Sequence, residues 1–143
     1  MLSFFKINDP FRMVGIVLLL LLLRIPYMLM DLPITQSELI WKMIGERMAK
    51  GQWMYTGIVD DTGPFSSVIY LINQLITGNS LWSFRVISFL VILFQIYYTN
   101  HILIKFNAFE ENNYLPAFVM TILFQLSFDF MTLSPALLGS TFI

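Results

Sequence analysis

Four acidic residues stand where a carboxylate could do chemistry. Glu38 closes Thr35-Gln36-Ser37-Glu38, the S/T-x-x-E form of a capping box. On one reading it satisfies the N-terminus of its own helix. On the other it is a carboxylate at a membrane surface, serving as a base or a metal ligand. Asp60 and Asp61 precede Gly63-Pro64. Two acids there make a solvated turn before a helix, whose dipole favours negative charge. Alternatively they hold Mg²⁺ or Mn²⁺, which takes one or two carboxylates plus phosphate oxygens. Asp129 lies inside an apolar block, where a carboxylate costs about 2.5–3.5 kcal/mol on insertion scales. It must pair, be protonated or line a cavity. Arg24 and Arg85 are the cations within or beside the other apolar blocks, so an Arg–Asp clamp is one reading of Asp129 and a functional site the other.

These residues are carried by apolar segments. Met13 to Leu23 (MVGIVLLLLLL) holds no charge, and the apolar stretch continues to Met30. At about 1.5 Å per residue such a helix just covers about 30 Å of hydrocarbon. Lys6 and Arg12 ahead of it look like a secretory signal. However, Arg24-Ile25-Pro26-Tyr27 follows with no small-x-small cleavage site, so a retained first membrane helix is the better reading. Arg24, toward its far end, can snorkel to the interface. The second block, 65–77, covers only about 20 Å and contains Asn73 and Gln74, as a short tilted span or a re-entrant hairpin would. The third, 81–104, is long enough to cross. The fourth starts at Leu115 and runs past Leu133. Residues 1–12 form a polar-aromatic lead-in, and the chain stops on apolar residues, as expected for the front part of a longer protein.

Between the first two blocks, residues 31–64 form a wet loop with an embedded helix. Leu39, Ile40, Met43, Ile44 and Met48 repeat at helical spacing, and Glu38/Lys42 and Glu46/Lys50 are i,i+4 pairs. Gly51 is placed to stop the helix, and Pro64 suits the first turn of the next one. With Trp41, Trp53 and Tyr55 alongside, the amphipathic helix is expected to lie flat in the membrane interface. The predicted class is all-α: a polytopic helical membrane bundle of about four hydrophobic segments with an interfacial helix in the first loop.

Composition agrees. The hydrophobic fraction is 57% and charged residues are 12%, against about 45–50% and 25% in soluble domains. Mean hydropathy is +0.74. Eight Lys and Arg against nine Asp and Glu give a net charge of −1, with no basic patch for nucleic acid. One His and no Cys exclude a His/Cys metal cluster and a disulfide frame. No P-loop, GxGxxG or Asn-x-Ser/Thr site occurs. The positive-inside count is balanced, and the short basic flank of the first helix favours an N-terminus inside a bacterial inner membrane. His101 reads as an interfacial residue, and Trp82, Tyr97 and Tyr98 as belt or packing aromatics.

The stretch SELIWKMIGERMAKGQWMYTG, followed by DDTGPFSSVIYLINQLITGNSLWSFRVIS, resembles the first outer loop and second helix of GT-C glycosyltransferases. These are polytopic enzymes that use a polyprenyl-phosphate sugar, such as protein mannosyltransferases and lipid A aminoarabinose transferases. Glu38 matches the second acid of the family's acidic pair. Met48-Ala49-Lys50-Gly51-Gln52-Trp53 matches its glycine-tryptophan element. Gly63-Pro64-Phe65 stands at the proline helix start, and Thr77-Gly78 with Phe84-Arg85-Val86 matches the helix-turn-arginine element. The first acid is Ser37 here, and the basic residue before the prolines is absent. The resemblance covers about 50 of the 143 residues. It implies inverting sugar transfer from a lipid phosphate at the extracytoplasmic face. Glu38 or Asp60 and Asp61 would act as base or Mg²⁺/Mn²⁺ ligand, and Arg24, Arg47 or Lys50 would contact phosphate, with Asp129 a further substrate-binding candidate. Two other readings stand beside it. A non-enzymatic membrane subunit of a cell-envelope assembly would dock a protein partner on the Glu38–Lys50 helix. A transporter would use Asp129 and Arg24 around a discontinuous second segment.

Overall fold

The computed structural model describes residues 10–30, 36–58, 63–78, 80–106, 114–126 and 128–140. They form seven helices: α1 (Pro10–Met28), α2 (Gln36–Ala49), α3 (Pro64–Thr77), α4 (Leu81–Lys105), α5 (Leu115–Leu126), α6 (Phe128–Met131) and α7 (Pro135–Ser140). Among the described residues there is no strand, apart from an isolated bridge between Met54 and Ile58.

Local chemistry explains the ends of α2 and α3. After Ala49, Gly51 adopts φ +87°, a left-handed conformation that costs an L side chain energy and costs glycine none. The Gly51 N–H then donates to Met48 O at 2.9 Å and the Gln52 N–H to Arg47 O at 3.1 Å. This is the paired bonding of a Schellman stop. α3 starts with Pro64 in its first turn behind Gly63, where a missing N–H costs nothing.

α2 is docked on α3, rather than resting on lipid through its apolar face alone. Ile44 and Met48 are buried in one core with Ile58, Tyr70, Phe84, Leu133 and Leu138. The Trp41 and Tyr70 rings stack at 6.4 Å. A Cβ on Gly45 would stand 2.7 Å from the Tyr70 carbonyl oxygen, so the absence of a side chain is what lets the two helices approach. Leu39, Ile40 and Met43 remain exposed on the outer face. A second core joins Ile16 and Leu20 of α1, Phe89, Ile92 and Ile96 of α4, Ala117 and Phe124 of α5, and Leu137 of α7.

α4 has 25 residues and is, among the described residues, the helix long and apolar enough to cross a membrane. It exposes apolar side chains and buries polar and apolar ones together, with Phe84, Phe89, Ile92 and Ile96 inside. Arg85, Ser88, Gln95 and Asn100 are buried, whereas Leu90, Phe94 and Ile102 are exposed. α1 repeats the pattern, with Val14, Leu18 and Leu22 outside and Arg24 fully buried.

The fourth apolar block is not one continuous helix. It divides into α5, α6 and α7. Pro135 cannot donate to a preceding turn, and the Ser134 hydroxyl accepts the Leu137 N–H at 3.0 Å, which starts α7 afresh. Gln95 reaches across from α4 and donates to Leu137 O at 3.2 Å and Ser140 Oγ at 2.9 Å.

Candidate functional site

Two buried arginines organise the end of the bundle where α1 finishes and α4 begins. Arg24 and Arg85 are both 0% exposed and Glu38 is 2% exposed. Helical spacing aligns Arg24 with Tyr27 on α1 and Arg85 with Ser88 on α4, each pair three residues apart. The first turn of α2 delivers Glu38.

Arg85 Nε meets Glu38 Oε1 at 3.3 Å. Its Nη1 donates to Tyr27 O at 2.9 Å and also to Met30 O. The guanidinium lies 4.5 Å from the centre of the Tyr27 ring, within cation–π range, and the Tyr27 hydroxyl donates to Glu38 Oε1 at 3.1 Å. Arg24 Nη1 donates to Ser88 Oγ at 2.9 Å and Met131 O at 3.4 Å, while its Nη2 reaches Phe130 O. Ser88 Oγ lies 2.9 Å from both Arg85 O and Met131 O.

The carbonyls chosen have a common origin. Tyr27 and Met30 lie at and just beyond the end of α1, and Phe130 and Met131 end α6. The last carbonyls of a helix have no partner within it, and they form the negative pole of its dipole. Each guanidinium therefore caps a helix C-terminus, and Arg85 adds a carboxylate. Such an arrangement satisfies buried charge and fixes the angles between helices.

The sequence-derived candidates are distributed as follows. Arg24 is turned into the bundle rather than snorkelling outward, because helix-end carbonyls lie within its reach. Glu38 does not project toward open solvent; it holds Arg85 and Tyr27. Arg47 and Lys50 are exposed. They lie nine and twelve residues along the chain from Glu38, roughly 14 and 18 Å of helical rise, so the fold does not gather them with it. Asp60 and Asp61 lie outside the described residues. The backbone of Asp129 belongs to α6, whose carbonyls Arg24 caps, and its side chain lies outside the described residues. Among the described residues no three His, Asp or Glu side chains cluster as metal ligands would, and the two carboxylates read as a Mg²⁺ or Mn²⁺ site are Asp60 and Asp61. Tyr27 and Ser88 are members of the network that sequence reasoning passed over. Their signal is the spacing of three from an arginine inside an apolar helix.

The opposite end of the α1–α4 pair is open. A cavity of about 610 Å³ lies between the start of α1 and the end of α4, beside Tyr114. His101 lines it and stacks on Tyr97 at 6.2 Å.

No family model matches the chain, and no curated protein or solved structure does either.

Proposed function

We propose that the chain is an integral membrane protein laid out like the GT-C glycosyltransferases, serving sugar transfer from a polyprenyl-phosphate donor at the extracytoplasmic face. The observation that carries this reading is the Glu38–Arg85 contact at 3.3 Å. Glu38 matches the acidic element of the resemblance and Arg85 its arginine element, and 47 residues separate them in the chain. The exposed apolar side chains of α1 and α4, with Arg24 and Arg85 buried behind them, support the membrane setting, since hydrocarbon accommodates the former and not an exposed charge.

In this reading Glu38 is a positioning residue. It fixes α2 to α4, and α2 leads into the segment that carries Asp60 and Asp61. One of those carboxylates takes the acceptor's proton, and Arg47 and Lys50 face the donor phosphate. The acceptor oxygen forms the new bond to the anomeric carbon. The bond from that carbon to the phosphate oxygen breaks, and the polyprenyl phosphate leaves with the electron pair.

The test is transfer of labelled sugar from a polyprenyl-phosphate donor by membranes holding the full chain. Asp60→Asn or Asp61→Asn is expected to lower transfer about 10²- to 10⁴-fold, the usual worth of a general base, at unchanged protein level. Glu38→Gln is expected to lower transfer and folded protein together. Full transfer by both aspartate variants would remove the catalytic reading. A second reading, a non-enzymatic membrane subunit, is favoured by the burial of Glu38 against Arg85. It predicts no transfer by folded wild-type chain, and crosslinks to a protein partner from the exposed Leu39, Ile40 and Met43.

A further inference from the structure

At the end of the bundle away from Glu38 and Arg85, the groove between α1 and α4 changes from apolar to cationic along its length. The two helices run antiparallel. Arg24 of α1 meets Ser88 of α4 at 2.9 Å, and Met13 lines the same cavity as Ile104. Val14, Val17 and Leu18 of α1 form an apolar wall. The volume, about 610 Å³, lies within the range of about 300–1,000 Å³ typical of small-molecule sites.

The α4 side of the groove carries the gradient. Tyr97, His101 and Lys105 follow at a spacing of four and share a face. The Tyr97 and His101 rings stack at 6.2 Å, and both line the cavity. Lys105 is exposed in the last turn of α4, one turn beyond His101. A ring, an N–H donor and an ammonium therefore succeed one another toward the end of the helix. Arg12 precedes Met13 at the same end. α5 starts at Leu115, just after the lining Tyr114, which brings the positive pole of its dipole there as well. α1, α4 and α5 contain no Asp or Glu. Asp9, Glu110 and Glu111 lie outside the described residues.

Depth agrees with charge. Trp82 is exposed near the start of α4 and Tyr98 toward its end, about 24 Å apart along the helix. Aromatic belts bracket hydrocarbon in this way. Lys105 stands roughly 10 Å beyond Tyr98, at the level of the headgroups. The apolar wall calls for an acyl chain, and the donor and ammonium call for an anion. An uncharged lipid offers no charge complement here, and a zwitterionic one brings a second cation beside Lys105.

We infer that this groove binds an anionic glycerophospholipid of the bilayer, with one acyl chain along Val14, Val17 and Leu18 and the phosphate at His101 and Lys105. Basic pockets between membrane helices take such headgroups. The inference rests on the membrane setting proposed above, but not on sugar transfer. Lys105 lies about 30 Å of helical rise from Arg85, so the site is separate from the Glu38–Arg85 cluster.

The experiment uses the full chain in detergent micelles and in vesicles, with phosphatidylglycerol bearing a diazirine in its acyl chain as probe. Photolabelling is expected on peptides covering Met13–Leu18 and Tyr97–Ile104. Unlabelled phosphatidylglycerol should displace it, and phosphatidylcholine with the same acyl chains should compete at least tenfold less well. Glycerol phosphate in solution should not compete, which separates a lipid headgroup from a free phosphate. Lys105→Gln, at an exposed position, should lower labelling about fivefold, the worth of one basic residue at a membrane surface. Val17→Trp, which fills the groove, should lower it tenfold or more. Glu110→Gln with Glu111→Gln should leave labelling equal or higher. Circular dichroism of each variant guards against misfolding. Equal competition by phosphatidylcholine, displacement by glycerol phosphate, labelling elsewhere, a fivefold fall on removing the two glutamates, or unchanged labelling of folded Lys105→Gln and Val17→Trp would overturn the assignment. If Val17→Trp misfolds, Lys105→Gln and the competition ratio decide. Alkali extraction of the wild-type chain reports separately on the membrane setting: a chain stripped from membranes overturns that setting, while the micelle labelling still decides the groove.

Discussion

α1 and α4 run side by side, and their two ends solve the burial of polar groups in opposite ways. At the Arg24–Arg85 end, two guanidinium groups are wholly buried and find helix-terminal carbonyls, a hydroxyl and a carboxylate. At the Asn100 end, a buried amide oxygen lacks a donor beside a cavity of about 610 Å³. The same two helices provide both. What differs is the neighbour. The first end is filled by α2 and by the termini of α1 and α6, which bring acceptors that a cation needs. The second is lined mainly by apolar side chains, and none of its donors, on Tyr97, His101 and Tyr114, reaches Asn100 Oδ1. The first cluster, hydrogen-bonded through most of its polar atoms though not at Arg24 Nε, holds helices together, whereas the second leaves Asn100 Oδ1 without a donor among the described residues.

The comparison can be broken by substitution along α4. The largest effect is expected for Arg85→Met, which leaves Glu38 buried and uncompensated, a loss of about 3–5 kcal/mol. Unfolding titrations in detergent would measure it. The double variant Arg85→Met with Glu38→Leu should recover much of that loss, because no charge is then stranded. A single variant as stable as the wild type would show that the cluster does not hold the bundle.

Midway along the helix, Phe94 is 53% exposed. Phe94→Asp should cost about 2.5–3.5 kcal/mol if lipid covers that face, and within about 0.5 kcal/mol if water does. The fraction of chain resistant to alkali extraction separates the two.

A smaller effect is expected at the turn that ends α2. Gly51→Ala forces a side chain into a left-handed conformation, for about 1–2 kcal/mol. A loss of that size, with transfer reduced no more than folded protein, would tie α2 to the architecture alone. The smallest is at the open end. Asn100→Leu should cost no stability, since it removes a buried oxygen that has no donor among the described residues. A loss comparable to that of Arg85→Met would mean that both ends are equally built, and the contrast would fall.

Much of the local structure is legible in the sequence. The spacing of Ile44 and Met48, the stop at Gly51 and the start at Pro64 follow from helix periodicity and backbone chemistry, which act over a few residues. The apolar blocks delimit α1, α3 and α4 for the same reason. The division of the fourth block was harder to read, because apolar composition conceals a break that Ser134-Pro135 signals only by local bonding. The partners of Arg24 and Glu38 were not legible for a different reason. A lone arginine near the end of an apolar helix reads as one that reaches water, and a glutamate three residues after a threonine reads as a cap. Both readings consider one helix at a time.

The sequence by itself determined that these helices form, where several of them stop, and that their composition suits an apolar solvent. Those properties depend on neighbours in the chain. Only the tertiary structure decided that Glu38 meets Arg85, that α6 supplies carbonyls to Arg24, and that Asn100 is left beside a void. Those pairings join residues from different helices, and a buried charge takes whichever acceptor the packing brings within about 3 Å.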